Sequence, residues 1–83
     1  MKILYFSWLK DKVGKEEELV TLPKEINTVR KLILWLESSS EGHKAAFEDL
    51  SLVRVAINME TALLDEKISS KDEIAFFPPM TGG

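Results

Sequence analysis

One segment in the middle of the chain has the apolar spacing of an amphipathic helix. Its apolar residues recur at the i, i+3, i+4, i+7 positions that form one face of a helix. These residues are Val29, Leu32, Ile33 and Leu36. Asn27 or Thr28 can cap the first turn, and we expect the helix to end within Ser38–Ser40. The 83 residues suffice for one small domain, so this helix is expected to be its main helical element.

Segments typical of strands lie on both sides of this helix. They are rich in β-branched, aromatic and leucine residues and are bounded by residues that favour turns. The strand-like segments are Lys2–Leu9, Glu18–Leu22, Leu52–Asn58 and Glu73–Phe77, with a possible short strand over Thr61–Leu64. Residues 10–15 have the composition of a turn, which predicts that the first two strands form a hairpin.

The order of these elements favours an α+β fold. A first and a last strand that lie side by side and parallel, with the single main helix across one face, would bury the apolar side of the helix efficiently. This is the β-grasp (ubiquitin-like) arrangement, and it predicts a mixed sheet of four to five strands. We expect the β-grasp domain to cover residues 1–77 and an extended tail to cover residues 78–83.

The predicted sheet has apolar side chains on both faces. Because neighbouring residues of a strand point to opposite faces, Phe6 and Trp8 are expected on one face of the first strand, and Phe77 on one face of the last. One helix can cover only one face, so we expect the other to be an exposed apolar docking surface. The alternative is that the loops at residues 10–15 and 40–50 cover it.

Composition argues against several classes of function. The net charge is −3, and no cluster of Lys and Arg is interleaved with aromatic residues, so nucleic acid is not an expected partner. The chain has no cysteine, which excludes disulfides, cysteine-ligated metals and a thiol nucleophile on this chain. It also lacks a membrane-spanning apolar run, a lipidation motif and a secretory cleavage site, which predicts a cytoplasmic protein with no membrane partner.

The familiar signatures of an independent enzyme are absent from the sequence. There is no glycine-rich phosphate loop, no pair of metal ligands and no nucleophile elbow, so neither catalysis by this chain alone nor a bound metal or cofactor is expected. His43 is the only histidine and has no obvious partner, which favours an ordinary surface or capping role. The acidic run Glu16–Glu18 is expected to be solvated.

The last six residues join a stiff segment to two glycines. Pro78–Pro79 restrict φ to polyproline values, so we expect the chain to leave the sheet as an arm. Gly82 and Gly83 have no Cβ, which allows a backbone to enter a narrow channel. A carboxylate at Gly83 must be activated before it reacts, as in an acyl adenylate made from ATP by another protein. Attack by sulfur would then give a thiocarboxylate, and attack by a lysine an isopeptide bond.

The segment Phe76–Gly83 resembles the C-terminal signature of the small subunits of molybdopterin synthase, a ubiquitin-like sulfur-carrier family. Further matching segments run through the chain, at Lys2–Phe6, Val13–Gly14, Thr28–Val29, Val55–Asn58 and Asp72–Ala75. The chain departs from the family pattern at Met59, where glutamine is common, and at Lys71, where the family often has glycine. A positive φ at position 71 would therefore make lysine unfavourable there.

The resemblance implies a mechanism based on Gly83. An ATP-dependent, E1-like activating enzyme would adenylate it, and conversion to a thiocarboxylate would follow. The sulfur would pass to cyclic pyranopterin monophosphate in the large synthase subunit, which carries the catalytic side chains. The implied assembly is a heterotetramer, with two small subunits on a dimer of large ones. The implied tail inserted into the partner is Pro79, Met80, Thr81, Gly82 and Gly83, and the implied interface residues are Phe6, Thr61 and Phe77.

Other functions stay open at this point. A ubiquitin-like sulfur carrier for thiamine synthesis or tRNA thiolation would share the Gly-Gly end, although those families generally lack the Phe-Phe-Pro-Pro arm. A ubiquitin-like modifier would attach the same end to lysines of other proteins. An interaction module with a frayed terminus would do no chemistry at all.

Overall fold

The computed structural model describes residues 1–79, in which a five-stranded mixed sheet carries helices on one face. The strands are β1 (Lys2–Tyr5), β2 (Glu17–Leu19), β3 (Arg54–Ile57), β4 (Glu60–Ala62) and β5 (Glu73–Phe77). The helices are α1 (Trp8–Val13), α2 (Val29–Glu37) and α3 (Glu41–Ala46), and a 3₁₀ turn spans Leu50–Leu52. The strand order is β2-β1-β5-β3-β4.

The first and last strands lie side by side, as predicted. β1 runs parallel to β5, with Tyr5 opposite Phe76, and the other pairs, β1 with β2, β3 with β5 and β3 with β4, are antiparallel. A parallel pair needs a crossover connection, and α2 lies in the segment between the two strands. The prediction of a β-grasp fold is confirmed.

Helix α2 begins and ends close to its predicted limits. The Thr28 Oγ1 accepts a hydrogen bond from the backbone N–H of Lys31 at 3.2 Å, which satisfies one free donor of the first turn. All four residues of the predicted apolar face are buried. They share one core with buried side chains of the sheet, among them Ile3, Tyr5, Val55, Ile74 and Phe76. No helix within residues 1–79 is long and apolar enough to cross a membrane.

The segment after β1 is helical, so the prediction of a strand to residue 9 followed by a turn was wrong. β1 ends at Tyr5, and Ser7, with φ of 57° and ψ of −135°, redirects the chain into α1. Leu9 is buried in the core from this helix. A helix of six residues is too short to show a helical period in the sequence, and its stability depends on tertiary packing.

Helices α1 and α3 approach each other closely at Gly42. A Cβ at this position would lie 2.5 Å from the backbone oxygen of Lys12, so the two helices would have to move apart. We therefore expect Gly42→Ala to lower the free energy of unfolding by about 2 kcal/mol. Urea denaturation measures this effect, and Lys44→Ala at an exposed position of the same helix is the control. Equal stability of Gly42→Ala and wild type would contradict the close approach.

The two departures from the family pattern differ in backbone conformation. Asn58 and Met59 form the two-residue connection between β3 and β4 and have φ of 50° and 71°, the signs required by a type I′ turn. Met59 is 91% exposed. Lys71 is not among the residues with positive φ, so lysine there carries no such cost.

Candidate functional site

Among residues 1–79, one face of the sheet carries no helix. Leu9 of α1, Leu32 of α2 and Ala46 of α3 all enter the core on the other face, where Phe47 packs edge-on against Phe76 at 4.9 Å between ring centres. The remaining side chains of the strands form the open face. Its members are Lys2, Leu4, Glu17, Leu19, Arg54, Ala56, Thr61, Glu73, Ala75 and Phe77, together with Phe6 and Leu63 directly after β1 and β4.

The strand registers place an ion pair toward one end of the open face and large apolar side chains toward the other, where Arg54 is the charged member. At one end, Lys2 lies opposite Glu73 and forms an ion pair with Glu17 at 3.4 Å. At the other end, β5 finishes at Phe77, and Phe6 donates its backbone N–H to the Phe76 oxygen at 3.0 Å. Between the two ends, two small side chains face each other across neighbouring strands. They are Ala56 and Ala75, which lie directly opposite each other. The apolar end is therefore the one from which the C-terminal segment leaves the sheet.

The three predicted interface residues all belong to the open face. Phe6 is 48% exposed, Thr61 is exposed and Phe77 is half-buried. Trp8 was wrongly assigned to this face, because it begins α1 and lines a groove with Leu52 on the helical side. The alternative was that residues 10–15 and 40–50 cover this face. These segments instead contribute to α1 and α3, and both helices pack on the core side.

The predicted tail is described only at its beginning. β5 ends at Phe77, and Pro78 and Pro79 follow it as half-buried residues outside any strand or helix. Met80, Thr81, Gly82 and Gly83 lie outside the residues that the structure describes. The roles of these residues, and the division into a domain of residues 1–77 and a tail of residues 78–83, stay predictions.

Two further residues lie beside the C-terminal segment and are not among the predicted interface residues. Arg54 lies directly opposite Phe77, and Leu63, one residue past β4, is 77% exposed. The alternation within the β3 segment contained the signal, because a buried Val55 implies that Arg54 and Ala56 face the other way. What the sequence did not supply was the pairing of β3 with β5.

A buried polar cluster on the core side corrects the predictions for His43 and Glu18. His43 is only 4% exposed, and its Nε2 lies 2.6 Å from Glu18 Oε2. The same carboxylate oxygen accepts the Tyr5 hydroxyl at 2.6 Å. On the other side of the ring, Nδ1 lies 2.6 Å from the Oγ of Ser40, the residue that caps α3. The cluster therefore ties β1, β2 and α3 together.

Electrostatics within the cluster favour an ionised carboxylate. Burial by itself would raise the pKa of Glu18, but the hydrogen bonds from Tyr5 and His43 outweigh it and hold that pKa below its ordinary value. Burial, together with the neighbouring Glu18 carboxylate, raises the pKa of Tyr5. Glu18 is thus favoured as a carboxylate that accepts and Tyr5 as a hydroxyl that donates, which suits a structural tie. Within residues 1–79, no group of three or more His, Asp or Glu side chains is placed to hold a metal ion.

The fold and the open face define a ubiquitin-like β-grasp protein, and comparisons with known proteins narrow the class. The sequence model of the ThiS family matches residues 3–83. The chain is 32% identical over its full length to the molybdopterin synthase sulfur carrier subunit of Escherichia coli K12, and covers 99% of that protein. The chain belongs to the ThiS family and, within it, to the molybdopterin synthase sulfur carrier subunits.

Two solved structures share the fold. A putative molybdopterin converting factor subunit 1 from Pyrococcus furiosus superposes with a TM-score of 0.75 at 27% identity, covering 95% of each chain. The small archaeal modifier protein 1 of Haloferax volcanii superposes with a TM-score of 0.71 at 25% identity, covering 96% of this chain and 97% of that one.

Proposed function

We propose that this chain is the sulfur carrier subunit of a molybdopterin synthase and acts in molybdenum cofactor biosynthesis. The observation that carries the proposal is the end-to-end match to a protein of that name, which includes the segment Phe76–Gly83. The position of the open face supports it. Its apolar end adjoins Phe77, so a partner that receives the C-terminal segment would meet an apolar surface beside it.

The proposed chemistry takes place at the carboxyl carbon of Gly83. An E1-like activating enzyme would join this carboxylate to the α-phosphate of ATP, forming an acyl adenylate and releasing pyrophosphate. Hydrosulfide from the sulfur donor would then attack the carbonyl carbon, the bond to the phosphate oxygen would break, and AMP would leave. The product is a thiocarboxylate, whose sulfur would bond to cyclic pyranopterin monophosphate in the large subunit, after which water would cleave the bond between that sulfur and the carbonyl carbon and return Gly83 to a carboxylate.

The proposal assigns partner contact to the sheet and entry into the partner to the C-terminal segment, and the length of that segment allows this. Six residues beyond Phe77 span at most about 20 Å, so the reactive carbon can enter a partner while the sheet stays on that partner's surface. In this proposal Phe6, Thr61 and Phe77 contact the partner, and Pro79 to Gly83 enter it. The catalytic side chains belong to the large subunit, and the complete assembly is a heterotetramer of two small and two large subunits in the cytoplasm.

A second candidate function is covalent modification of other proteins. It is favoured by the likeness to the archaeal modifier protein, because a Gly-Gly carboxylate activated as an adenylate can react with a lysine as well as with sulfur. Sulfur carriage and protein modification differ in the nucleophile that attacks the adenylate, which is sulfur in the first and a lysine amine in the second. In both cases another protein supplies it.

The test is to combine the chain with its activating enzyme, ATP and a sulfur donor, and then to measure its intact mass. We expect one oxygen to be replaced by sulfur at the C-terminus, with no change when ATP is left out. Adding the large subunit and cyclic pyranopterin monophosphate should then produce molybdopterin. An unchanged mass would contradict sulfur carriage, and adducts on lysines of other proteins would favour the modifier. Thiocarboxylate without molybdopterin would point to thiamine synthesis or tRNA thiolation.

A further inference from the structure

The open face carries one arginine beside the point where the C-terminal segment begins. Arg54 begins β3 and lies directly opposite Phe77, the last residue of β5. Ala56 pairs with Thr61 in the neighbouring ladder, so continuing that register two residues further brings Leu63 next to Arg54. Arg54 therefore belongs to a row of residues whose other members are large and apolar, Phe6, Phe77 and Leu63.

The charge of Arg54 is not balanced within the described part of the chain. Its Nη1 donates to the backbone oxygens of Ser51 and Val53, each at 3.2 Å. Across residues 1–79, no carboxylate lies within ion-pair distance of it, whereas Lys2, the other cation of the open face, is paired with Glu17 at 3.4 Å. The two carbonyls orient the side chain, and its other N–H groups have no hydrogen-bond acceptor among residues 1–79.

A partner that covers the apolar end of the open face would remove this guanidinium from water. Burial of an unpaired charge is strongly unfavourable unless an opposite charge with hydrogen-bonding groups accompanies it. The planar fork of arginine matches a carboxylate with two parallel hydrogen bonds. The partner therefore needs an Asp or Glu at the point where it meets Arg54.

A phosphate at the reaction centre is a poorer match for Arg54. Six residues follow Phe77 up to Gly83, whereas Arg54 lies directly opposite Phe77 itself, so a partner that contacts the sheet beside Phe77 meets the guanidinium whether or not it holds the reacting groups. Because the net charge of the chain is −3, an acidic partner is not attracted to the chain as a whole. Screening in physiological salt also limits the range of interactions between exposed charges to about 8 Å. The expected interaction is therefore a local pair with a protein side chain.

We propose that Arg54 forms an ion pair with an Asp or Glu of the large synthase subunit, at the mouth of the channel that receives the C-terminal segment. This pair selects partners that present a carboxylate at that point, and it fixes the register of the sheet on the partner's surface. The inference rests on the proposed function, since it takes the large subunit as the partner.

The test measures binding of the purified full-length chain to its purified large subunit by calorimetry. Arg54→Glu places two carboxylates together and is expected to weaken binding by on the order of 100-fold. Arg54→Met keeps much of the apolar stem and is expected to weaken it by about tenfold, and Arg54→Lys, which keeps the charge, by less than Arg54→Met. The control is Arg30→Glu, at an exposed arginine of α2 that pairs with Asp65 at 2.9 Å, which should bind like wild type.

The outcomes separate this inference from the proposed function. If wild type binds and Arg54→Glu or Arg54→Met binds equally well, the ion pair is refuted while the sulfur-carrier function stands. If wild type neither binds the large subunit nor accepts sulfur, both are refuted. Changing the matching carboxylate of the large subunit to lysine should restore the binding of Arg54→Glu, and thermal unfolding of each variant verifies that it is folded.

Discussion

A variant with one extra residue after Gly83 is expected to lose sulfur transfer by more than about 100-fold. The reason is positional, because the added residue moves the reactive carboxyl carbon by about 3.3 Å and replaces Gly83 as the end of the chain. Deletion of Gly83 should cause a similar loss of sulfur transfer, because it moves the terminal carboxyl carbon by one residue in the opposite direction. Intact mass after incubation with the activating enzyme, and molybdopterin formed with the large subunit, measure the two steps separately.

The matched control is a substitution at an exposed position distant from the C-terminal segment, such as Lys44→Ala in α3. The extended, shortened and control variants should all unfold at the temperature of the wild type, which thermal unfolding measures. Full sulfur transfer by the extended variant would rule out the carboxyl group of Gly83 as the reactive group.

Replacement of Glu18 by alanine is expected to lower the free energy of unfolding by about 3 kcal/mol. The loss leaves the buried hydroxyl of Tyr5 and the ring N–H of His43 without an acceptor, and each such orphaned group costs about 1–3 kcal/mol. Urea denaturation measures the change. The control is Glu17→Ala, whose carboxylate forms an exposed ion pair with Lys2 and should contribute less than about 1 kcal/mol. Equal effects of the two substitutions would contradict a special role for the cluster.

The same cluster predicts a loss of stability in acid. Since the pKa of Glu18 is lower in the folded chain than its ordinary value of 4.5, its ionised form contributes stability above pH 4.5, and this contribution is lost as the pH falls through the folded pKa. Glu18→Gln keeps an oxygen acceptor and does not titrate, so its stability should depend less on pH below 4.5. A pH dependence identical to that of wild type would show that other carboxylates dominate the acid response.

Local chemistry was enough to predict the elements that define the fold. Val29, Leu32, Ile33 and Leu36 form the buried face of α2, and Thr28 caps it. β5 covers the predicted residues Glu73–Phe77. These elements are long or regular enough for periodicity and caps to reveal them, and their order alone implied the parallel pairing of β1 with β5.

Contacts between distant residues decided the features that were missed. Helix α1 has six residues and depends on its packing against α3, which Gly42 allows, so no local pattern marked it. His43 and Glu18 are 25 positions apart along the chain, and neither has a local sequence signal for burial. The same applies to Arg54, whose position beside Phe77 follows from the pairing of β3 with β5.

The sequence by itself determined the order of the strands and of helix α2, the apolar excess on two faces of the sheet and the Phe-Phe-Pro-Pro segment before Gly-Gly, because these depend on periodicity and on residues near one another in the chain. Only the tertiary structure decided which face stays open, which charges lie beside the C-terminal segment and which polar groups are buried together. Those properties arise from side chains that folding alone brings within a few ångströms of each other.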